Sequence, residues 1–199
     1  MEYKIRHERP ADHREVERLV YEAFKDLELP GRTQCDEHCL LHKLRKSEIF
    51  IPELNFVAEQ TKEDGTEEIV GQIVYARVTV QAEKHTEWEL ISFGPLAVLP
   101  QYQGLGIGEQ LVRHSLSEAA RLGYPGVLIF GHPGYYPRFG FENAETYGIT
   151  TEDGENFDAF MARELSPGAM KDMHGRLLLN PIYVISPKEL ETFNAHFFA

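Results

Sequence analysis

Hydrophobic positions recur along the chain with two periods, and the switches between them mark out elements. Val16, Leu19, Val20, Ala23, Phe24 and Leu27 repeat at helical spacing. They predict an amphipathic helix after Pro10, with Asp12 and Glu15 forming a capping box at its start. Residues 36–46 read as a second helix carrying Leu40, Leu41 and Leu44, and Tyr3–His7 as a short strand before the first. Residues 55–60 and 68–81 read as strands joined through Asp64-Gly65, a hairpin signal. Residues 87–99 form a third long strand interrupted by Gly94-Pro95. Proline has no N–H for a ladder and glycine weakens a strand, so a bulge or splay is expected at that point. Residues 106–122 make a long helix with Ile107, Leu111, Leu116 and Ala119 on its buried side, stopped by Gly123-Tyr124-Pro125. Residues 126–131 are a short apolar strand suited to a buried parallel position, and further strands are expected near 157–164 and 181–185.

Between the third long strand and the long helix lies Pro100-Gln101-Tyr102-Gln103-Gly104-Leu105-Gly106-Ile107-Gly108. Glycines at 104, 106 and 108 let the backbone turn tightly and bring several N–H groups toward one point. The first turn of a helix adds unpaired donors and a partial positive charge, so the segment predicts an anion site fitted to a diphosphate. A Walker loop is excluded, because no Gly-Lys-Ser/Thr follows. A dinucleotide fingerprint fits poorly, since the turn sits in mid-chain rather than in a first βα unit.

The chain has 199 residues, enough for one domain with a substantial core, and shows no repeats, low-complexity tract or linker. No apolar stretch approaches the ~20 residues that span a bilayer, and Met1-Glu2-Tyr3-Lys4-Ile5-Arg6 lacks a signal-peptide core, so a cytoplasmic protein with no membrane partner is expected. A net charge of −12 argues against nucleic acid as a partner and is compatible with a cationic substrate or with simple solubility. Cys35 and Cys39 are the two cysteines, and with His38 and His42 they invite a metal reading. On a helix Cys35, Cys39 and His42 would share a face, but structural zinc sites draw ligands from two segments. The expectation is two reduced thiols, solvated histidines and no metal.

The order β-α-α-β-β-β, glycine turn, long helix, short strand, aromatic-Gly-Phe resembles the GNAT superfamily of acetyl-CoA-dependent N-acetyltransferases. The family's Gln/Arg-x-x-Gly-x-Gly/Ala signature is met in two overlapping frames, Gln101-x-x-Gly104-x-Gly106 and Gln103-x-x-Gly106-x-Gly108. Leu96-Ala97-Val98 is similar to the strand that pairs with the pantetheine arm in relatives, and Tyr136-Pro137-Arg138-Phe139-Gly140-Phe141 to the family's Tyr-x-x-x-Gly-Phe. The sharp motifs lie between residues 88 and 141, and they look most like a branch of mainly predicted acetyltransferases. The resemblance implies an α/β fold with a mixed central sheet, flanking helices and strands splayed at the acyl-CoA site. It also implies one N-acetyltransferase domain over residues 1–199 and acetyl-CoA as co-substrate. By motif, the acyl-CoA contacts fall on Leu96, Val98, Gln103, Gly104, Leu105, Gly106, Ile107 and Gly108.

In such a site an amine attacks the thioester directly, a backbone N–H polarises the carbonyl, and a tyrosine returns a proton to the departing thiolate. Residue by residue, Tyr136 takes the place of that general acid, while Phe139 and Phe141 read as core. Where several relatives carry Glu or His on the strand, this chain has Ser92. Glu89 could act as base through water with Ser92 as relay, although strand alternation puts the two on opposite faces unless a bulge intervenes. His132 is another candidate base, and Arg113 and Arg138 are candidate phosphate contacts or surface ion pairs. The chain lacks the Asn and longer helix that many relatives place between the positions of Gly131 and Tyr136. The implied acceptor is a small-molecule or peptide amine. A cationic one would be favoured if Glu28, Asp36, Glu37, Glu87 and Glu89 face the site. A non-catalytic acyl-CoA sensor or scaffold, use of another acyl group, and a homodimer all stay open.

Overall fold

A computed structural model describes residues 3–27, 34–83 and 86–199. In chain order the elements are β1 (Tyr3–His7), α1 (His13–Phe24), α2 (Glu37–Leu44), β2 (Phe56–Thr61), β3 (Glu67–Gln81), β4 (Glu87–Val98) and α3 (Ile107–Arg121). They continue with β5 (Gly126–Phe130), β6 (Glu142–Asn143), β7 (Ile149–Thr150), β8 (Phe160–Glu164), β9 (Gly175–Leu178) and α4 (Pro187–Phe197). The result is a mixed α/β fold with a central sheet. Among the described residues its strands are hydrogen-bonded in the order β1-β2-β3-β4-β5-β8-β6, with β9 paired to β3 and β7 to β9. β1, β2 and β3 are antiparallel neighbours, β4 and β5 are parallel, and β5, β8 and β6 are antiparallel again.

Contacts divide the chain into two compact units, Met1–Val74 with Pro95–Leu111 and Pro181–Ala199, and Tyr75–Gly94 with Val112–Asn180. Strands β3 and β4 and helix α3 contribute residues to both. In the first unit Val16, Leu19 and Val20 of α1 and Leu40, Leu41 and Leu44 of α2 are buried as their spacing requires, along with Phe56, Val57 and Ile73 of the sheet. The second unit closes over Val78, Val80, Leu90, Leu128, Ile149, Phe160, Met170 and Leu177. The hairpin between β2 and β3 turns at Gly65, at φ +82°. Helix α3 ends as its sequence predicts: Gly123 is left-handed, and the Tyr124 N–H reaches back to the Ala119 carbonyl at 3.1 Å.

Three local expectations are corrected. Asp12 and Glu15 form no capping box; Asp12 instead pairs with Arg6 at 2.6 Å and accepts from the Arg9 N–H at 2.7 Å. Glu15 accepts from the Ile69 N–H of β3 at 3.1 Å, so tertiary partners take both carboxylates. Leu27 lies beyond the end of α1 and is 56% exposed. The strand expected at 181–185 is a short 3-10 turn at Pro181–Tyr183, and the chain then enters α4 through a capping box of Ser186 and Glu189 with Pro187 at the first helical position.

Candidate active site

The glycine turn belongs to the first unit. Pro100–Tyr102 makes a 3-10 turn, and the chain then passes Gly104 at φ +77° and Gly106 at φ +83° before α3 begins. Those left-handed conformations strain any residue with a Cβ, and a Cβ at either position would meet no protein atom within 4 Å. The amides of Gly104, Leu105, Gly106, Ile107 and Gly108 donate to no acceptor among the described residues. The first helical bond comes from Gln110 to the Gly106 carbonyl, at 3.0 Å. A run of N–H donors without a protein acceptor at a helix start has the chemistry of a diphosphate cradle. The Ile107 side chain is buried, so it can offer a ligand only its backbone, whereas Leu105 is exposed. Gln103 is exposed, its Nε2 donating to the Val98 carbonyl at 3.1 Å.

Two residues hold this cradle in place, and the sequence reading passed over both. Gly71 lies in β3 where the helix packs: a Cβ there would sit 3.0 Å from Cγ2 of Ile107 and 3.1 Å from Cδ1 of Leu111. Gln72, next to it, is fully buried and donates from Nε2 to the Pro95 carbonyl at 2.7 Å, bracing β4 just past its interruption. An isolated glycine in the apolar run Ile69-Val70-Gly71-Gln72-Ile73 is itself a signal of close approach. Beyond Pro95, the side chains of Leu96 and Val98 are half-buried while Ala97 between them is buried, so both project from one face of β4.

The splay expected at Gly94-Pro95 begins in the second unit. β4 and β5 pair at Ile91 with Val127 and at Ser92 with Leu128, whereas Ile129 and Phe130 pair only with Met161 and Phe160 of β8. Ser92 is half-buried at the last paired position. Glu89 projects into solvent, 63% exposed, with its carboxylate 3.6 Å from Arg77.

Tyr136 begins the 3-10 turn Tyr136–Phe139 after β5, where Pro137 favours a turn and Gly140 closes it at φ +82°. Its ring packs among Phe93, Tyr135 and Phe141, with centroids 5.7, 5.1 and 5.8 Å away. Burial pushes its phenol up to about 12, and its hydroxyl has no hydrogen-bond partner among the described residues. It is therefore a neutral, available donor at physiological pH. Phe139 and Phe141 are buried, as expected of core residues. His132 Nδ1 accepts from the Gly134 N–H at 3.1 Å, so in the neutral ring Nε2 carries the proton. Arg113 and Arg138 lie over the rings of Phe139 and Tyr135, at 5.1 and 4.7 Å.

The Cys-His segment is built into packing. Cys35 precedes α2 rather than sharing its face, with Sγ 3.9 Å from Nδ1 of His38. His38 is fully buried, a correction to the solvated histidine expected: its Nε2 lies 2.8 Å from Oδ1 of Asn194 on α4, and its ring packs against Tyr21 and Phe197. Desolvation lowers its pKa. His42 Nδ1 lies 2.9 Å from Oε1 of Glu17 on α1. Of the five carboxylates considered for an acidic rim, Glu28 lies outside the described residues. Asp36, half-buried, and Glu37, buried, belong to the first unit, and Glu87 and Glu89 to the second.

Comparisons with known proteins show the family. A family model described as an acetyltransferase (GNAT) domain matches residues 52–143, which include the cradle and Tyr136. The chain is 30% identical over 171 residues to the uncharacterised N-acetyltransferase YhbS of Escherichia coli K12, covering 86% of this chain and 92% of that one. Over 73 residues it is 41% identical to YjhQ of the same organism, a match that spans 40% of that protein and 37% of this one. The crystal structure of Escherichia coli YhbS in complex with CoA superposes with a TM-score of 0.76 at 28% identity, over 91% of both chains. A GNAT acetyltransferase from Brucella melitensis in complex with acetyl-CoA gives 0.67 at 27% identity, over 92% of this chain and 99% of that one.

Proposed function

The chain belongs to the GNAT family of acetyltransferases, and we propose that it transfers the acetyl group of acetyl-CoA to a primary amine of a small molecule or peptide, by direct attack in a ternary complex. The observation that carries the reading is the run of unpaired amides over residues 104–108, opened by two left-handed glycines. Binding of CoA and acetyl-CoA by the two structural relatives supports it.

Acetyl-CoA supplies a thioester carbonyl open to attack and a thiolate leaving group. The cradle amides would hold its diphosphate, and the strand segment Leu96 to Val98 would lie along the pantetheine arm. An alkylammonium with a pKa near ~10.4 must first lose a proton. Glu89 would take it through water and Ser92, and the solvent-open carboxylate suits a water-relayed base. A backbone N–H at the splayed part of β4 would stabilise the developing oxyanion. As the new C–N bond forms and the C–S bond breaks, Tyr136 Oη would donate its proton to sulfur, giving an amide and free coenzyme A. In this reading residues 1–199 act as one catalytic domain in the cytoplasm, without a metal. No helix among the described residues is long and apolar enough to cross a membrane.

The test is Gly106→Trp. A large side chain in front of the cradle should abolish acetyl-CoA binding by calorimetry while the thermal melt stays cooperative. Wild-type affinity in that variant would sink the diphosphate assignment. Release of coenzyme A over a panel of amines separates the enzyme from an acyl-CoA sensor.

A further inference from the structure

Phe130 closes β5 and stacks on Phe160 at 4.8 Å with an interplanar angle of 17°. Phe157 stacks on Phe130 in turn, at 5.9 Å and 22°. Phe160 is fully buried and anchors the pair, yet Phe130 and Phe157 stay 49% and 45% exposed. Two near-parallel aromatic faces are thus held open to water. The segment that carries Phe157 is fixed rather than loose. The Thr151 N–H donates to the Glu155 carbonyl at 2.9 Å, Asn156 Nδ2 to the Ile149 carbonyl at 3.1 Å, and Asn143 Nδ2 to the Phe157 carbonyl at 3.3 Å. Glu152, Asp153, Glu155 and Asp158 lie on the same segment, all exposed, and Arg176 donates to the Glu152 carbonyl at 3.4 Å. Gly131, the residue after Phe130, meets the ring of Tyr136. Adjacent residues of an extended chain project to opposite sides, so the stack and the candidate acid lie on opposite sides of the same strand end.

We propose that the Phe130–Phe157 stack is the acceptor platform, and that the acceptor is a primary ammonium on a short chain carried by an aromatic ring. The inference rests on the transferase reading and narrows its substrate class. A flat ring extends the existing stack and buries apolar area there, which an acceptor without a ring does not. The four carboxylates favour the ammonium end by charge. Two half-exposed rings offer far less than the roughly 800 Å² per partner that a stable protein interface uses, which selects a small molecule over a second protein.

The experiment measures coenzyme A release and equilibrium binding with phenethylamine and propylamine, for the wild type, Phe157→Ala and Phe157→Tyr. The wild type should favour phenethylamine about 10-fold or more in kcat/KM. Phe157→Ala should remove that preference by raising KM for phenethylamine, with acetyl-CoA affinity unaltered, and Phe157→Tyr should retain it. Equal use of both amines by the wild type, or an equal loss for both in Phe157→Ala, overturns the platform and leaves the transferase standing. Phenethylamine binding that depends on Phe157 without any coenzyme A release overturns the transferase reading instead. A change of oligomeric state in Phe157→Ala with unaltered amine kinetics makes the stack a self-association surface and also overturns the proposal.

Discussion

A methyl group on Gly131 would lie 2.3 Å from Cε2 and 2.5 Å from Cδ2 of Tyr136, so the tyrosine ring occupies the space a side chain at residue 131 would need. Gly131 is not left-handed, and its N–H pairs with the Ala159 carbonyl at 2.9 Å, so space rather than backbone conformation demands glycine there. Gly131→Ala should therefore move Tyr136 without unfolding the strand. If Tyr136 is the acid, turnover falls roughly 10- to 100-fold while acetyl-CoA affinity holds. Steady-state kinetics beside calorimetry check this, and an unchanged kcat would remove the tyrosine from the chemistry.

Tyr136→Phe keeps the ring and removes only the hydroxyl that donates the proton. Binding should survive and turnover should drop on the order of 10²-fold. The pH profile provides an independent check. Burial raises the phenol to about 12, so the protonated donor persists below that value and is lost only as pH rises through it. The wild-type rate should climb with pH as the acceptor amine deprotonates toward ~10.4, with no tyrosine-dependent decline before pH ~10. A decline below that, absent in Tyr136→Phe, would contradict the buried phenol.

Gly71→Val tests the packing that sets the cradle. The added side chain would collide with Ile107 and Leu111 at the first turns of α3, forcing the helix start away from β3. Chemical denaturation should show a loss of about 1–3 kcal/mol, and calorimetry a weakened acetyl-CoA affinity. Weakened stability with unchanged affinity would show that the cradle is positioned by other contacts.

Burial lifts the Cys35 and Cys39 thiols to about 11. Only about one in a thousand is thiolate at pH 8, so both should react slowly with a thiol reagent until the protein is unfolded. Metal analysis of protein purified without added metal should show no stoichiometric zinc. Fast labelling in the native state, or bound zinc, would overturn the reading.

Local chemistry made much of the molecule legible. Helical spacing fixed α1, α2 and α3, turn residues fixed the hairpin at Gly65 and the exit at Gly123, and Gly94-Pro95 marked where β4 stops following β5. α4 carried an equally local signal in Ser186-Pro187-Lys188-Glu189, which apolar content around 181–185 obscured. The rest was decided at a distance. β9 is a strand because Thr79–Gln81 of β3 pairs with Arg176–Leu178, nearly a hundred residues on. Asp12 gave up its cap because Arg6 offered a charged partner, and His38 is buried because Asn194 and Phe197 of α4 close over it. Gly71 and Gly131 look alike in sequence, yet one admits a helix and the other a tyrosine ring. Period and turn chemistry depend on neighbours a few residues away and can be read from the chain; close approach depends on which surfaces meet, and that only the folded backbone determines.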